Sequence, residues 1–377
     1  MTTTYYNGTI YTSHEVLREH AVVTEGNRIT AVIPWKRGAI PTHGAAFGDA
    51  GGGAFIDLEG GNLAPAFIDL QLYGGNGLLF SDHPSVASIE ATYRYSLEGG
   101  AAYIQPTMAT QSDELMDKAI EAVIQYQGKG LPGVIGLHLE GPYMNPAKRG
   151  AHREDFIQIP QKDKLGKLLQ KAGKSLTMMT LAPERCDPAS IRTLIDAGVI
   201  VSAGHTNATY EEAMQAFDLG IPAATHLFNA MSALSHRAPG MPGAIFDRRD
   251  IYTSVVADGH HVDFAAIRLA KRLLGDRLYL ITDAVTPNNE GVYLHQLKGD
   301  KYVVPDGTLS GSALTMIKAV QNCVEKVQIP LNEALRMAAL YPARVMGLDN
   351  RLGAIRPGLE AALVWFDDAY KVRRVFV

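Results

Sequence analysis

Residues 133–152 read GVIGLHLEGPYMNPAKRGAH. A short apolar run ends in His138, Leu139 and Glu140, and Gly141-Pro142 stops any continuation. The run predicts a buried strand with an ionisable group at its exit. A carboxylate there is costly to desolvate unless a cation or a set of hydrogen bonds receives it. The rest of the chain must supply a partner for Glu140.

Outward from that strand the chain alternates. Strands are predicted near 64–70, 102–106, 134–139, 176–181, 199–203, 223–225, 252–257 and 278–282, with helical patterns such as SDELMDKAIEAVIQYQ, DPASIRTLIDAG and DFAAIRLAKRLLG between them. Several of these open on Ser or Asp and close on Gly, as helix capping requires. Eight such units predict an α/β fold, a (β/α)8 TIM barrel. An open doubly wound sheet is the alternative, but no G-x-G-x-x-G or phosphate-binding loop follows the first strand.

The two ends differ from the middle. YYNGTIYT is β-rich, and AVVTEGNRITAVI holds two alternating runs joined at Gly26-Asn27, a hairpin signal. GDAGGGAF reads as a flexible connection, and the tail GAIRPGLEAALVWFDDAYKVRRVFV is again strand-like. Both termini are therefore expected to form one small β-sandwich domain, 1–61 with 345–377, beside a barrel of residues 62–344.

Composition excludes several classes. The chain has 377 residues, 46% hydrophobic and 20% charged, which is enough for a full core without staples. Net charge is -4, from 35 basic and 39 acidic residues. No nucleic acid or anionic membrane partner is expected, and an anionic ligand needs a local group of cations. Cys186 and Cys323 lie far apart, which fits a reducing compartment. MTTTYYNGTIYTSHEV lacks a secretory pattern, and no apolar run approaches the roughly 20 residues of a membrane helix. A cytoplasmic location is expected.

The ionisable residues follow the barrel plan. Gln71 follows the first predicted strand, Glu140 the third, His205 the fifth and His226 the sixth. His261 lies past the seventh and Asp283 just after the eighth. In a barrel all of these converge on the C-terminal mouth, where active sites are built. Glu140, His205 and His226 make a two-His, one-carboxylate set with room for an open position, as a catalytic divalent metal requires. Asp283 is placed to accept a proton from water and return it to a leaving group. Taken singly, each has a bland reading: a hydrogen-bonded structural histidine, a Glu140–Arg149 pair, or an Asp283 helix cap. His138, on the strand itself, reads as a packed or supporting residue. Concurrence at four strand exits favours the site.

At these residues the sequence resembles a known family. GLHLEGPYMNPAKRGAH, SAGHTNATYEEA, ATHLFNAMS, ADGHHVD and LITDAV, in that order, are similar to the N-acetylglucosamine-6-phosphate deacetylases of the amidohydrolase superfamily. The resemblance implies that Glu140, His205 and His226 bind one divalent metal per subunit, with zinc first and iron, cobalt or nickel as alternatives. It implies that Asp283 is general base and then general acid. His152 would polarise the acetamide carbonyl, with Ala151 beside it. Asn229 and Ala230 would contact the sugar, Arg237 and His261 the phosphate, and Leu309, Ser310 and Gly311 would lie in a loop closing over the sugar. The implied partner is a small amino-sugar phosphate, bound by a homodimer that shares residues across its interface.

One departure from the superfamily is informative. Where many members carry His-x-His after the first strand, this chain has Asp69 and Gln71 in IDLQLYGG. An amide is a poor ligand for a second metal, so one ion is expected. The following LYGG also departs from the Asn-Gly of similar sequences. Two other readings compete: an amidohydrolase acting on a cyclic amide or aminated base, and a sugar-phosphate-binding protein without turnover. Gln71 counts against the first, and the complete ligand and acid–base set against the second.

Overall fold

The computed structural model describes residues 1–36 and 53–377. The expected flexible connection at 48–55 lies mostly outside the described residues. The chain divides into two compact units, Met1–Ile68 with Leu97–Ala102 and Met316–Val377, and Asp69–Ser96 with Tyr103–Thr315.

In the first unit the expected hairpin is present, with His20–Glu25 antiparallel to Arg28–Pro34. Thr2–Tyr6 and Ala54–Asp57 complete a four-stranded sheet. A second, five-stranded sheet pairs Leu363–Phe366 from the tail with Asn62–Pro65 from the other end of the sequence. Tyr5, Ile10, Val22, Ile29, Leu63, Leu363 and Phe376 share one apolar core. Residues from both chain ends thus bury each other's apolar faces.

The eight-stranded sheet is all in sequence order. Its strands are β1 (Phe67–Leu72), β2 (Ala101–Ala109), β3 (Leu137–Glu140), β4 (Leu176–Leu181), β5 (Ile200–Ala203), β6 (Ala223–Ala224), β7 (Tyr252–Val256) and β8 (Leu278–Ile281). Parallel pairing runs through β2 to β8. The sheet closes on itself where Asp283 N–H donates to the Gln71 carbonyl at 2.9 Å and Tyr73 N–H to the Ala284 carbonyl at 2.8 Å. That is the expected (β/α)8 barrel, and its C-terminal rim is where the strand exits gather.

Helix starts follow their caps. Ser112 accepts from Leu115 N–H ahead of the helix Asp113–Gly128. Thr209 and Glu212 form a reciprocal capping box at Tyr210–Asp218.

Three local differences from expectation have physical causes. The run predicted as one strand at 64–70 is split: Asn62–Pro65 joins the five-stranded sheet, and β1 begins at Phe67. Apolar content alone does not reveal such a division. The strand predicted from 134 begins only at Leu137, with a register shift at Leu137/His138. Gly136 sits against Thr177, where a Cβ would lie 2.2 Å from the Thr177 Oγ1. Finally, Leu309, Ser310 and Gly311, expected in a loop, lie in the edge strand of a three-stranded antiparallel sheet, Gln296–Lys298, Lys301–Val303 and Leu309–Ser312.

Candidate active site

Glu140 ends β3, and His205, His226 and Asp283 each follow their strand by two residues. Gln71 lies inside β1 rather than beyond it. His205, His226 and Asp283 all have left-handed backbones, with φ of 48°, 38° and 55°. Non-glycine residues rarely adopt that conformation, and it turns each side chain off the strand direction toward the rim. Glu184 steadies the β5 exit, accepting from Thr206 Oγ1 at 2.5 Å and Asn207 N–H at 2.7 Å.

Glu140 is at the centre of the site. Its Oε1 lies 3.1 Å from His226 Nε2 and 3.3 Å from His205 Nε2, and the two imidazole nitrogens are 3.1 Å apart. All three side chains are buried. His205 Nδ1 donates to the Lys148 carbonyl at 2.9 Å, which leaves a lone pair on Nε2 facing the cluster. Burial, partly offset by Glu140, pushes the His205 imidazole down to about 4, so it is neutral near pH 7. Burial also opposes a charged Glu140, but the imidazoles around it, with the proton-bearing His152 Nε2 among them, outweigh it and hold its carboxyl well below the usual range. The donor set is therefore an ionised carboxylate beside a neutral imidazole, with a second imidazole completing it.

The other oxygen of Glu140 is held separately. Oε2 lies 2.9 Å from His152 Nε2 and accepts from the Tyr73 hydroxyl. Thr110 N–H donates to His152 Nδ1 at 3.2 Å, so the His152 proton is on Nε2. His138 is a supporting residue, as its position on the strand suggested. Its Nδ1 donates to the Leu70 carbonyl at 3.0 Å and its Nε2 accepts from Thr180 at 2.8 Å.

Asp283 is tied in by Gln71, whose Nε2 lies 2.9 Å from both Asp283 Oδ1 and Glu140 Oε1. Burial raises the Asp283 carboxyl above its ordinary value; His261 opposes this and Glu140 adds to it. His261 Nε2 stands 3.5 Å from Asp283 Oδ2, while its Nδ1 is held by Asp258 at 2.6 Å. Beneath them Asp69 accepts from Thr282 Oγ1 at 2.5 Å, across the closing seam.

A cavity of about 170 Å³ opens onto these groups, where roughly 10–15 Å³ houses one water. Ala151, His152, Asn229, Ala230, His261 and Leu309 to Gly311 all line it, together with Glu140, His205, His226 and Asp283. Arg237 does not; it is exposed in the loop between β6 and the helix Gly240–Asp247.

Tyr73, Tyr293 and His295 also line the cavity and were not anticipated. Tyr73 was legible: as the residue just after β1 it continues the alternation of Asp69 and Gln71. Tyr293 and His295 carry no motif and lie just before the unexpected three-stranded sheet, where His295 pairs with Ser310 Oγ at 3.0 Å.

Comparison with known proteins decides the family. The amidohydrolase family model matches residues 62–377, and the NagA composite domain matches residues 5–39. The chain belongs to the amidohydrolase family. An N-acetylglucosamine-6-phosphate deacetylase of Haemophilus influenzae is 38% identical, covering 97% of this chain and 95% of that one. An N-acetylgalactosamine-6-phosphate deacetylase of a Shewanella species is 35% identical over 85% and 83%. The crystal structure of N-acetylglucosamine-6-phosphate deacetylase from Pasteurella multocida superposes with a TM-score of 0.93 at 38% identity, covering 100% of this chain and 98% of that one.

As an amidohydrolase the chain has a donor set that fits a metal ion. Single ligand atoms of Glu140, His205 and His226 all lie within 4.8 Å of one another. Carboxylate and imidazole suit a borderline divalent ion, and three protein ligands leave a position open. Among the described residues, the buried His226 Nδ1 has no hydrogen-bond partner, and the polar contacts of that ring run through its Nε2.

Proposed function

We propose that this amidohydrolase removes the acetyl group of N-acetylglucosamine 6-phosphate, giving glucosamine 6-phosphate and acetate in amino-sugar breakdown and recycling. The observation that carries the reading is the convergence, in one cavity, of the Glu140–His205–His226 donor set with Asp283 and a His152 that has its proton on Nε2.

Glu140, His205 and His226 hold one divalent ion per subunit; zinc is the first choice, with iron, cobalt and nickel chemically acceptable. Such an ion lowers the pKa of water from 15.7 to about 7 and polarises a carbonyl oxygen. His152 donates its Nε2 proton to the acetamide oxygen, stabilising charge that develops there. Asp283 takes a proton as the water oxygen bonds to the acyl carbon. It returns that proton to the nitrogen as the carbon–nitrogen bond breaks. Gln71 holds Asp283 Oδ1, leaving Oδ2 for the transfer.

Ala151, Asn229, Ala230 and the edge Leu309–Gly311 grip the sugar. His261, at the cavity wall, and Arg237 take the phosphate. Arg237 is assigned to the site of a second subunit in a homodimer, a reading its exposure outside its own cavity lining supports. The catalytic domain is assigned to residues 62–344 and the small domain to 1–61 with 345–377, bounds that differ from the compact units chiefly in placing 316–344 with the barrel. Among the described residues no helix is long and apolar enough to cross a membrane, consistent with the cytoplasmic location proposed.

The galacto epimer is the second reading, favoured by the 35% identity to the Shewanella enzyme. Acetate release from each 6-phosphate, measured side by side on zinc-loaded protein, tests both. Turnover of neither epimer removes the proposal.

A further inference from the structure

Tyr73 is fixed on every side. Its N–H donates to the Ala284 carbonyl and its carbonyl accepts from Phe80 N–H, each at 2.8 Å. It belongs to one buried cluster with Leu79, Ala109, Val285, Tyr293 and Tyr302. The hydroxyl accepts from Gln71 Nε2 at 2.8 Å and donates to Glu140 Oε2. A phenol gripped this way has one place to direct its proton.

The two oxygens of Glu140 have different surroundings. Oε1 faces His205, His226 and the Gln71 amide, while Oε2 is engaged by Tyr73 and His152. His152 has a single Nε2 proton. When that proton turns to a substrate carbonyl, Tyr73 is the donor left on Oε2. A carboxylate's terminal torsion is broad and two-fold, so with Oε2 released only the Gln71 contact at Oε1 opposes rotation of Glu140.

We propose that Tyr73 is a positioning residue that keeps Glu140 a one-oxygen metal ligand while His152 serves the substrate. This rests on the metal-dependent reading above. Residues that orient a ligand carboxylate this way are worth about 10–100-fold in metal affinity.

The test is Tyr73→Phe, which keeps the ring and loses only the hydroxyl. Zinc affinity is measured by chelator competition on wild type and variant, with thermal unfolding of the metal-free proteins as the check on folding. Zinc is expected to bind about 10–100-fold more weakly to the variant. Lost turnover should return partly with excess zinc. A ring that merely fills space predicts unchanged affinity, and that result in a folded variant overturns the inference. Tyr73→Leu supplies the same measurement should the phenylalanine variant not fold. Wild type that binds no zinc at all would instead overturn the metal-dependent reading itself, so the two failures are distinguishable.

Discussion

His205 Nε2 and His226 Nε2 stand 3.1 Å apart, with Glu140 Oε1 within 3.3 Å of both. Removing one member should therefore abolish tight binding rather than weaken it slightly. Metal analysis of His205→Ala is expected to fall far below the roughly one ion per chain expected of wild type. Chelation should also lower the unfolding temperature of wild type, because a ligand of the folded state at 100 times its Kd adds about 2.7 kcal/mol. Retention of a full equivalent by the alanine variant would place the metal elsewhere.

Asp283 touches Gln71 and faces His261, and it is not one of the three residues of the donor set. Asp283→Asn should keep its metal and lose about 10²–10⁴ in kcat, the usual share of a general acid–base group. Metal content and turnover measured on one sample decide the matter, and near-normal turnover would exclude Asp283 as the proton carrier.

Asp69 makes stability depend on pH. Burial, opposed by the Thr282 and Gln71 hydrogen bonds, raises its carboxyl from 3.8 to about 7. The folded chain thus keeps a proton that the unfolded chain gives up near 4. The resulting stabilisation is complete below the unfolded value and is lost as pH climbs through about 7. A carboxyl whose pKa is one higher in the folded than in the unfolded chain contributes about 1.4 kcal/mol. Urea midpoints of chelated protein at pH 5.5 and 8.5 should therefore drop more for wild type than for Asp69→Asn. Equal drops would mean that Asp69 is ionised in the fold.

Arg237 is exposed and outside its own cavity lining. If it reaches a neighbour's phosphate, Arg237→Ala should raise KM for the phosphorylated sugar about 10–100-fold, the worth of a charge-assisted hydrogen bond. The unphosphorylated sugar should be indifferent to the change. Mixing Arg237→Ala with Asp283→Asn subunits should restore activity to part of the mixed dimers. No restoration, with dimers verified by ultracentrifugation, would return Arg237 to a solvated loop.

What was legible in the sequence depended on how local its cause was. Strand exits were readable because Glu140, His205, His226 and Asp283 each interrupt an apolar run. The barrel followed from eight strand–helix units in order. The division at Ala66 was not read, since Asn62–Pro65 and Phe67–Leu72 are both buried throughout and differ in their partners in space. Tyr293 and His295 escaped for the same reason: their place at the cavity depends on where a later antiparallel sheet carries them. Tyr73 could have been found by extending the alternation of Asp69 and Gln71 one step further.

The positive φ at positions 205, 226 and 283 separates endurance from usefulness. Each such backbone costs a side chain on the order of 1–3 kcal/mol that glycine does not incur. An inert glycine variant at one of these positions should then withstand heat as well as its active parent once both are stripped of metal. Selection for robustness alone would erode the very residues that selection for turnover retains.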